Sequence, residues 1–163
     1  ADKCKEADIT IQYVDGEQVV LLNGENVNAY LRTEEVGNMA STTSAQLAVR
    51  TKLVELQQAL AAKCDVIMDG RDIGTVVLPH AQVKIFLTAS VKERAMRRYK
   101  EMLAKGEKVD LAELEKQIAF RDKQDSEREI APLKQADDAE FLDTSDMTID
   151  EVAEHILKVV QEK

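Results

Sequence analysis

The chain has 163 residues, of which 44% are hydrophobic and 33% charged, so it can form about one domain with a buried core. Its net charge of -9 argues against general nucleic-acid binding, which requires a broad basic surface. No apolar run approaches the ~20 residues that span a bilayer, so we expect no membrane partner, and no charged-then-apolar leader opens the chain, so we do not expect secretion. Cys4 and Cys64 have no His or Cys at metal-ligand spacing, which indicates free thiols in a reducing, cytoplasmic compartment.

The first part of the chain predicts a β-hairpin followed by helices. Apolar runs on both sides of Asp15-Gly16 predict a hairpin over residues 9–22, and Asn23-Gly24 predicts a second turn. Residues 33–63 have a helical pattern that is interrupted near residues 41–44. The Ser and Thr hydroxyls at this interruption can cap the second helix.

From Cys64 onward, short apolar strands alternate with amphipathic helices. Strands are predicted at residues 66–68, 83–87 and 139–142. Helices are predicted to begin after Ser90, Asp110 and Thr148, each of which has a Glu three residues later. This alternation is typical of an α/β domain with a parallel sheet.

A first candidate site follows the predicted strand at residues 66–68. The segment 69–75, Asp-Gly-Arg-Asp-Ile-Gly-Thr, places Arg71 and Asp72 beyond the end of that strand, where open α/β sheets bind their ligands. Arg71 could bind a phosphate while Asp72 accepts a hydrogen bond from an amino group. The alternative is a tight turn in which these two side chains pair with each other.

A second candidate lies in the predicted helix that begins after Asp110. Arg121, Asp125 and Arg128 occupy positions i, i+4 and i+7, so they share one face, with two guanidinium groups around one carboxylate. The alternative is a ladder of surface ion pairs, which contributes little to stability.

A third group comprises Arg94, Arg97 and Arg98, which also share a helical face. Like charges at this spacing repel, and a bound anion would relieve the repulsion. The alternative is a solvated face with Glu93 and Glu101 as neighbours.

With these residues in this order, the chain resembles the bacterial cytidylate kinases. The longest matching motif, MDGRDIGTVVLP, occupies residues 68–79 and is specific. The other matching segments are residues 31–36, 83–87, 93–95, 97–99, 121–123, 125–126, 128, 132–133 and 137–139. The resemblance therefore covers nearly the whole chain.

The resemblance implies transfer of the γ-phosphoryl group of ATP to CMP or dCMP with Mg²⁺, on a P-loop nucleoside monophosphate kinase fold. It assigns residues 1–63 to an insertion that binds the nucleoside monophosphate, built from the hairpin and helices. Residues 64–163 become the C-terminal part of the core α/β domain, with a mobile lid at about residues 99–118. The expected partners are CMP or dCMP and ATP, and the parent enzyme is expected to be a monomer.

The matched positions also imply roles for single residues. Ser41, Arg50 and Asp72 match positions that recognise cytosine, which has an amino donor for Asp72 and acceptors for the other two. The remaining matches are Arg71 and Arg128 on the phosphate side, Arg121 and Asp125 near the sugar, and Arg94, Arg97 and Arg98 at the start of the helix that leads into the lid.

Arginines at these places would offset the charge that develops on the transferred group. We accordingly expect Arg71, Arg98 and Arg128 to be catalytic and Arg94 and Arg97 to bind ATP. We expect no metal ligand among the side chains and no tightly bound cofactor in this chain.

One departure from the family pattern is large. The glycine-rich loop G-x-x-x-x-G-K-[ST] does not occur in the 163 residues, and the resemblance places it upstream of them. The chain also begins at Ala1 and not at Met. We therefore expect part of a kinase, with an incomplete fold and negligible activity alone. The alternatives are a non-catalytic module that binds nucleotides or a protein, and a kinase for another monophosphate such as UMP.

The resemblance also places the strand before the glycine-rich loop between the strands at residues 66–68 and 83–87. Without it, both strands would have an exposed apolar edge, which promotes aggregation or strand exchange. We therefore expect the two strands to pair directly with each other or to be covered by another chain, through which the fragment would self-associate.

Overall fold

A computed structural model describes residue 4, residues 6–31 and residues 33–163, and for residues 34, 38 and 41 it describes only the backbone. The chain divides into two compact units, Ala1–Ile67 and Met68–Lys163. In the described residues, none of the helices combines the length and the apolar character that crossing a membrane requires.

The first unit contains an antiparallel sheet followed by helices. Its elements in chain order are β1 (Ile9–Val14), β2 (Glu17–Leu22), β3 (Glu25–Asn26), α1 (Glu34–Ser44) and α2 (Leu47–Ala61). Asp15-Gly16 joins β1 to β2 with φ values of 52° and 83°, and Asn23-Gly24 joins β2 to β3 with 52° and 84°. Tight hairpin turns of this type need positive φ at both central residues. The predicted hairpin is confirmed, and its second turn leads into β3.

The predicted helical stretch breaks between α1 and α2, near the predicted place. Thr33 caps α1, since its hydroxyl accepts a hydrogen bond from the Val36 amide at 3.4 Å. The N-cap residue of α2 is Gln46 and not one of the predicted Ser or Thr residues. The Thr43 hydroxyl instead donates to the Met39 carbonyl at 2.8 Å, as hydroxyl side chains inside helices often do.

The second unit is an α/β arrangement around a parallel strand pair. After a π-helical turn (Ile73–Val77), its elements are β4 (Ile85–Thr88), α3 (Val91–Ala104), α4 (Leu111–Glu127), β5 (Glu140–Asp143) and α5 (Ile149–Gln161). β4 and β5 are parallel, with Phe86 opposite Phe141 and their ring centroids 6.1 Å apart. The expected α/β class and parallel pairing are both present.

The predicted helix starts of the second unit are confirmed, because α3, α4 and α5 are capped by Ser90, Asp110 and Thr148. The capping box of α5 is complete. At α3 the Ser90 hydroxyl accepts from the Glu93 amide, but the Ser90 amide donates to the Ser145 hydroxyl at 2.9 Å. A tertiary contact has therefore replaced the second half of the predicted box.

The strand predicted at residues 66–68 does not form. Residues 65–69 belong to no helix or strand, and the Ile67 side chain is fully exposed at 105%. Among the described residues β5 is the one strand that pairs with β4, and residues 66–68 form no strand, so the expected direct pairing of residues 66–68 with 83–87 is wrong. An apolar run becomes a strand only where a neighbouring strand satisfies its backbone hydrogen bonds. Contact with another chain stays a prediction.

The buried apolar core of the described residues lies in the second unit. It comprises Val77, Ala89, Ala95, Leu142 and Val159. Two polar residues, Asp125 and Thr144, are buried beside it. A buried carboxylate normally requires a cationic or hydrogen-bonding partner, so Asp125 is expected to have such partners around it.

Candidate functional site

The buried carboxylate of Asp125, only 6% exposed, is the centre of the candidate site. Its Oδ2 accepts a hydrogen bond from Arg71 Nε at 2.9 Å and lies 3.9 Å from Arg121 Nε. Its Oδ1 lies 3.8 Å from Arg128 Nη1. Three guanidinium groups therefore surround one carboxylate, and Arg71 reaches it from a segment 54 residues earlier in the chain.

Asp72 joins the same cluster through Arg128. Its Oδ1 lies 3.7 Å from Arg128 Nη2, and the two side chains are 11% and 19% exposed. Arg128 Nε also donates to the Ala131 carbonyl at 2.5 Å, which holds the guanidinium in place. Arg71 and Asp72 thus each have a partner near the end of α4. The first two candidate groups of the sequence form one cluster.

The backbone at Asp72 is held by the π-helical turn that follows it. The Asp72 carbonyl accepts from the amides of Thr75, Val76 and Val77 at 3.3, 2.9 and 3.3 Å. Val77 is 2% exposed and anchors the turn in the core. Short π-helical segments occur frequently at functional sites. A side chain at position 70 would force Ile73 to shift, because a Cβ there would lie 2.8 Å from Ile73 Cγ1.

Arg94 and Arg97 have protein partners. Arg94 forms a two-pronged pair with Asp122, at 3.0 and 2.5 Å, and its Nε donates to the Ala89 carbonyl at 2.9 Å. Arg97 Nη2 donates to the Thr144 carbonyl at 2.5 Å. These bonds tie α3 to α4 and to the end of β5. Their expected contact with ATP stays a prediction, and it would require exchange of these bonds.

Arg98 has a different environment from its two neighbours. Its Nη1 lies 3.6 Å from Glu101 one helical turn away, and its side chain is 47% exposed. An exposed pair at this spacing contributes little free energy. Of the arginines predicted at the start of α3, Arg98 is therefore the one that can turn toward an anion at least cost.

The predicted cytosine contacts lie in both units. Arg50 lies in α2 of the first unit, is buried, and its Nη1 donates to the Ser44 carbonyl at 3.4 Å. Asp72 belongs to the second unit. The Ser41 side chain lies outside the described residues, as does Arg32 of the matching segment 31–36. A shared base site of Ser41, Arg50 and Asp72 therefore stays a prediction.

The sequence analysis did not predict an ion pair between the buried Lys84 side chain and the exposed Asp138 carboxylate. Lys84 Nζ donates to both Asp138 oxygens at 2.8 and 2.7 Å and to the Pro79 carbonyl at 2.5 Å. The Lys84 side chain is 7% exposed, and its hydrogen bond lowers the pKa of Asp138. The available signal was a lysine inside the apolar run 83–87, because lysine is rarely buried without a partner.

The side chains of the described residues offer no protein-made metal site. No three of their His, Cys, Asp and Glu residues are grouped so that they could hold an ion. Mg²⁺ in phosphoryl-transfer sites is commonly held largely by substrate phosphates and water. We accordingly assign none of these residues to Mg²⁺.

Comparison with known proteins points to one family. The family model for cytidylate kinase matches residues 2–162. Cytidylate kinase of Lactobacillus johnsonii is 52% identical over 155 residues, which cover 95% of this chain and 67% of that protein. The Geobacter strain M21 enzyme is 49% identical and the Bacillus subtilis enzyme 48%, each over 100% of this chain and over 70% and 73% of its relative. The chain therefore belongs to the cytidylate kinase family.

Proposed function

We propose that the chain binds the monophosphate nucleotide CMP or dCMP at the cluster around Asp72 and Asp125. In this proposal it forms part of an enzyme that transfers the γ-phosphoryl group of ATP to that nucleotide. The supporting observation is the convergence of Arg71, Arg121 and Arg128 on Asp125, with nitrogen–oxygen distances between 2.9 and 3.9 Å.

The charge of the cluster suits a phosphate. Three arginines and two aspartates, Asp72 and Asp125, leave an excess of one positive charge. Arg71 and Arg121 are 40% and 55% exposed at the side chain, so they can turn toward a ligand while the buried Asp125 keeps them close. A guanidinium group can donate two parallel hydrogen bonds to the oxygens of a phosphate, which sets the orientation of the phosphate and offsets its negative charge. We therefore assign Arg71 and Arg128 to the phosphate and Arg121 and Asp125 to the sugar side.

We assign recognition of the base to Asp72 together with Ser41 and Arg50. A carboxylate accepts a hydrogen bond from the exocyclic amino group of cytosine, whereas uracil has a carbonyl at that position. Two facing acceptors leave both groups without a hydrogen bond, which costs about 1–3 kcal/mol. We therefore expect CMP to bind about 10- to 100-fold more tightly than UMP.

The reaction itself depends on charge stabilisation. Phosphoryl transfer is catalysed mainly by positioning and by cations near the oxygens that gain charge. In this proposal Arg71 and Arg128 act from the acceptor side and Arg98 acts from the lid helix α3, with Arg94 and Arg97 nearer to ATP. Bound Mg²⁺ would neutralise charge on the ATP phosphates. Because the loop G-x-x-x-x-G-K-[ST] does not occur in these 163 residues, we expect negligible phosphoryl transfer from this chain alone.

Calorimetric titration of the chain with CMP and UMP tests the proposal. We expect CMP binding with the stated preference, and we expect Asp72→Asn to reduce that preference, because an amide can donate to the uracil carbonyl. Asp146→Asn is the matched control, since Asp146 is exposed in the same unit. Equal binding of CMP and UMP by the unaltered chain would contradict base recognition, and no CMP binding at all would contradict the function.

A coupled assay of ADP release with CMP and ATP tests the expected inactivity separately. Robust turnover by this chain would show that it carries its own means of binding the ATP phosphates. That result would contradict the expected inactivity but would support the assignment of the acceptor site.

A further inference from the structure

We propose that Lys84 is a positioning residue that holds together the two chain segments carrying opposite halves of the site. Its effect on CMP binding rests on the function proposed above. The first segment runs from Asp72 through the π-helical turn to Pro79. The second runs from Arg128 to Asp138, two residues before the start of β5. Lys84 lies immediately before β4 and contacts both segments.

Contact with the first segment involves both the stem and the ammonium of Lys84. The aliphatic stem of Lys84 lies beside the π-helical turn, since a Cβ added at Gly74 would lie 3.5 Å from Lys84 Cδ. The ammonium donates to the Pro79 carbonyl at 2.5 Å. Asp72 immediately precedes this turn, and its carbonyl accepts hydrogen bonds from the Thr75, Val76 and Val77 amides of the turn. Movement of the turn therefore moves Asp72.

Contact with the second segment is an ion pair supported by a backbone bond. The ammonium donates to both Asp138 oxygens at 2.8 and 2.7 Å, and the Lys84 carbonyl accepts from the Glu140 amide at 3.0 Å. The segment begins at Arg128, and the Leu133 amide donates to the Asp125 carbonyl at 2.7 Å. Lys84 thus also fixes the end of the segment that leads from Arg128 into β5.

The consequence concerns the pair formed by Asp72 and Arg128, which are 3.7 Å apart. These two residues belong to the two segments that Lys84 joins, and they contact each other at the opposite end of both segments. Lys84 is 7% exposed, so its ammonium keeps three protein acceptors and little contact with water. Loss of that ammonium would leave the segments joined by weaker contacts and widen the range of Asp72–Arg128 separations. Small displacements of positioning groups reduce binding and catalysis strongly.

The test compares Lys84→Met, which keeps the stem and removes the ammonium, with Lys92→Met, a substitution at an exposed lysine of α3. Lys84→Arg is the conservative variant, since a cavity of about 280 Å³ beside Lys84 leaves room for the larger guanidinium. Amide hydrogen exchange and CMP and UMP titration are measured for each protein. If Lys84→Met does not fold, Asp138→Asn, which removes the partner charge and keeps an acceptor oxygen, takes its place.

We expect Lys84→Met to accelerate exchange at the amides of Val76 and Leu133 and to leave the Thr144 amide, which donates to the Thr88 carbonyl at the far end of the sheet, unchanged. We expect CMP affinity to fall about tenfold and the preference for CMP over UMP to narrow, with Lys84→Arg restoring both. A merely structural residue would accelerate exchange throughout the unit and would leave the CMP-to-UMP ratio unchanged.

Unchanged exchange at Val76 and Leu133 in folded Lys84→Met would overturn the proposal, as would a CMP affinity and selectivity equal to those of Lys92→Met. Absence of CMP binding by the unaltered chain would contradict the proposed function instead. In that case the exchange measurement would still decide whether Lys84 joins the two segments.

Discussion

Replacement of Asp125 by asparagine removes the carboxylate charge around which Arg71, Arg121 and Arg128 are arranged, while the shape of the side chain is kept. The asparagine oxygen can still accept the Arg71 Nε hydrogen bond that spans 2.9 Å in the structure. The substitution removes the attraction of this carboxylate for the three guanidinium groups, and Asp72 is then the one aspartate of the cluster that offsets their mutual repulsion. The substitution therefore tests the electrostatic part of the cluster separately from its packing.

The expected loss follows from the exposure of each partner. Breaking a fully buried ion pair costs about 3–5 kcal/mol, but Arg71 and Arg121 are 40% and 55% exposed, and exposed pairs contribute about 0–1 kcal/mol. Arg128, 19% exposed and 3.8 Å from Asp125, is the least hydrated of the three. Arg128 keeps Asp72, 3.7 Å away, as an anionic partner, so the loss lies between the two limits and we expect the free energy of unfolding to fall by about 2 kcal/mol.

Urea unfolding at neutral pH measures this difference, with Glu127→Gln as control because Glu127 is exposed on the same helix, α4. Exposed substitutions of this kind change stability by about 0.5 kcal/mol or less. An Asp125→Asn variant as stable as the control would refute the conclusion that the arginines depend on this carboxylate. We also expect added CMP to stabilise the unaltered chain more than Asp125→Asn, since Asp125 is assigned to the sugar side.

Two further predictions concern helices of the second unit. The amide and hydroxyl of Thr148 lower the pKa of Glu151 in the folded state, so this carboxylate stabilises α5 above its unfolded pKa and the contribution disappears as the pH falls through the lower folded value. Glu151→Gln should therefore destabilise the chain at pH 7, with the difference vanishing in acid, in urea unfolding at several pH values; a difference that persists in acid would contradict this. Arg94→Lys keeps the charge but loses the two-pronged pair with Asp122, and it should accelerate amide exchange where α3 contacts α4 without changing CMP affinity. A loss of CMP affinity in that variant would contradict the separation of Arg94 from the acceptor site.

Local features of the fold were predictable because they depend on residues adjacent in the chain. Asp15-Gly16 specifies a hairpin turn through its tolerance of positive φ. Ser90, Asp110 and Thr148 specify helix starts because each accepts a hydrogen bond from an amide three residues later. The residue types of the site were also recognisable, since the motif at residues 68–79 carries the glycine, arginine and aspartate in order.

The tertiary structure determines which residues far apart in the chain pair with each other, as strands or through side-chain hydrogen bonds and ion pairs. An apolar run at residues 66–68 has the composition of a strand, yet it forms none, because composition does not supply a hydrogen-bonding neighbour. Arg94 and Arg97 have the spacing of an anion site, yet they bond to Asp122 and Thr144, which lie 28 and 47 residues away.

The same holds for Arg71 with Asp125 and for Lys84 with Asp138, each pair 54 residues apart. Charge, propensity and capping act over a few residues and can be read from the chain by itself. The packing of helices and strands determines which cation lies next to which carboxylate. Burial then favours that pairing, because an unpaired charge in the interior is costly.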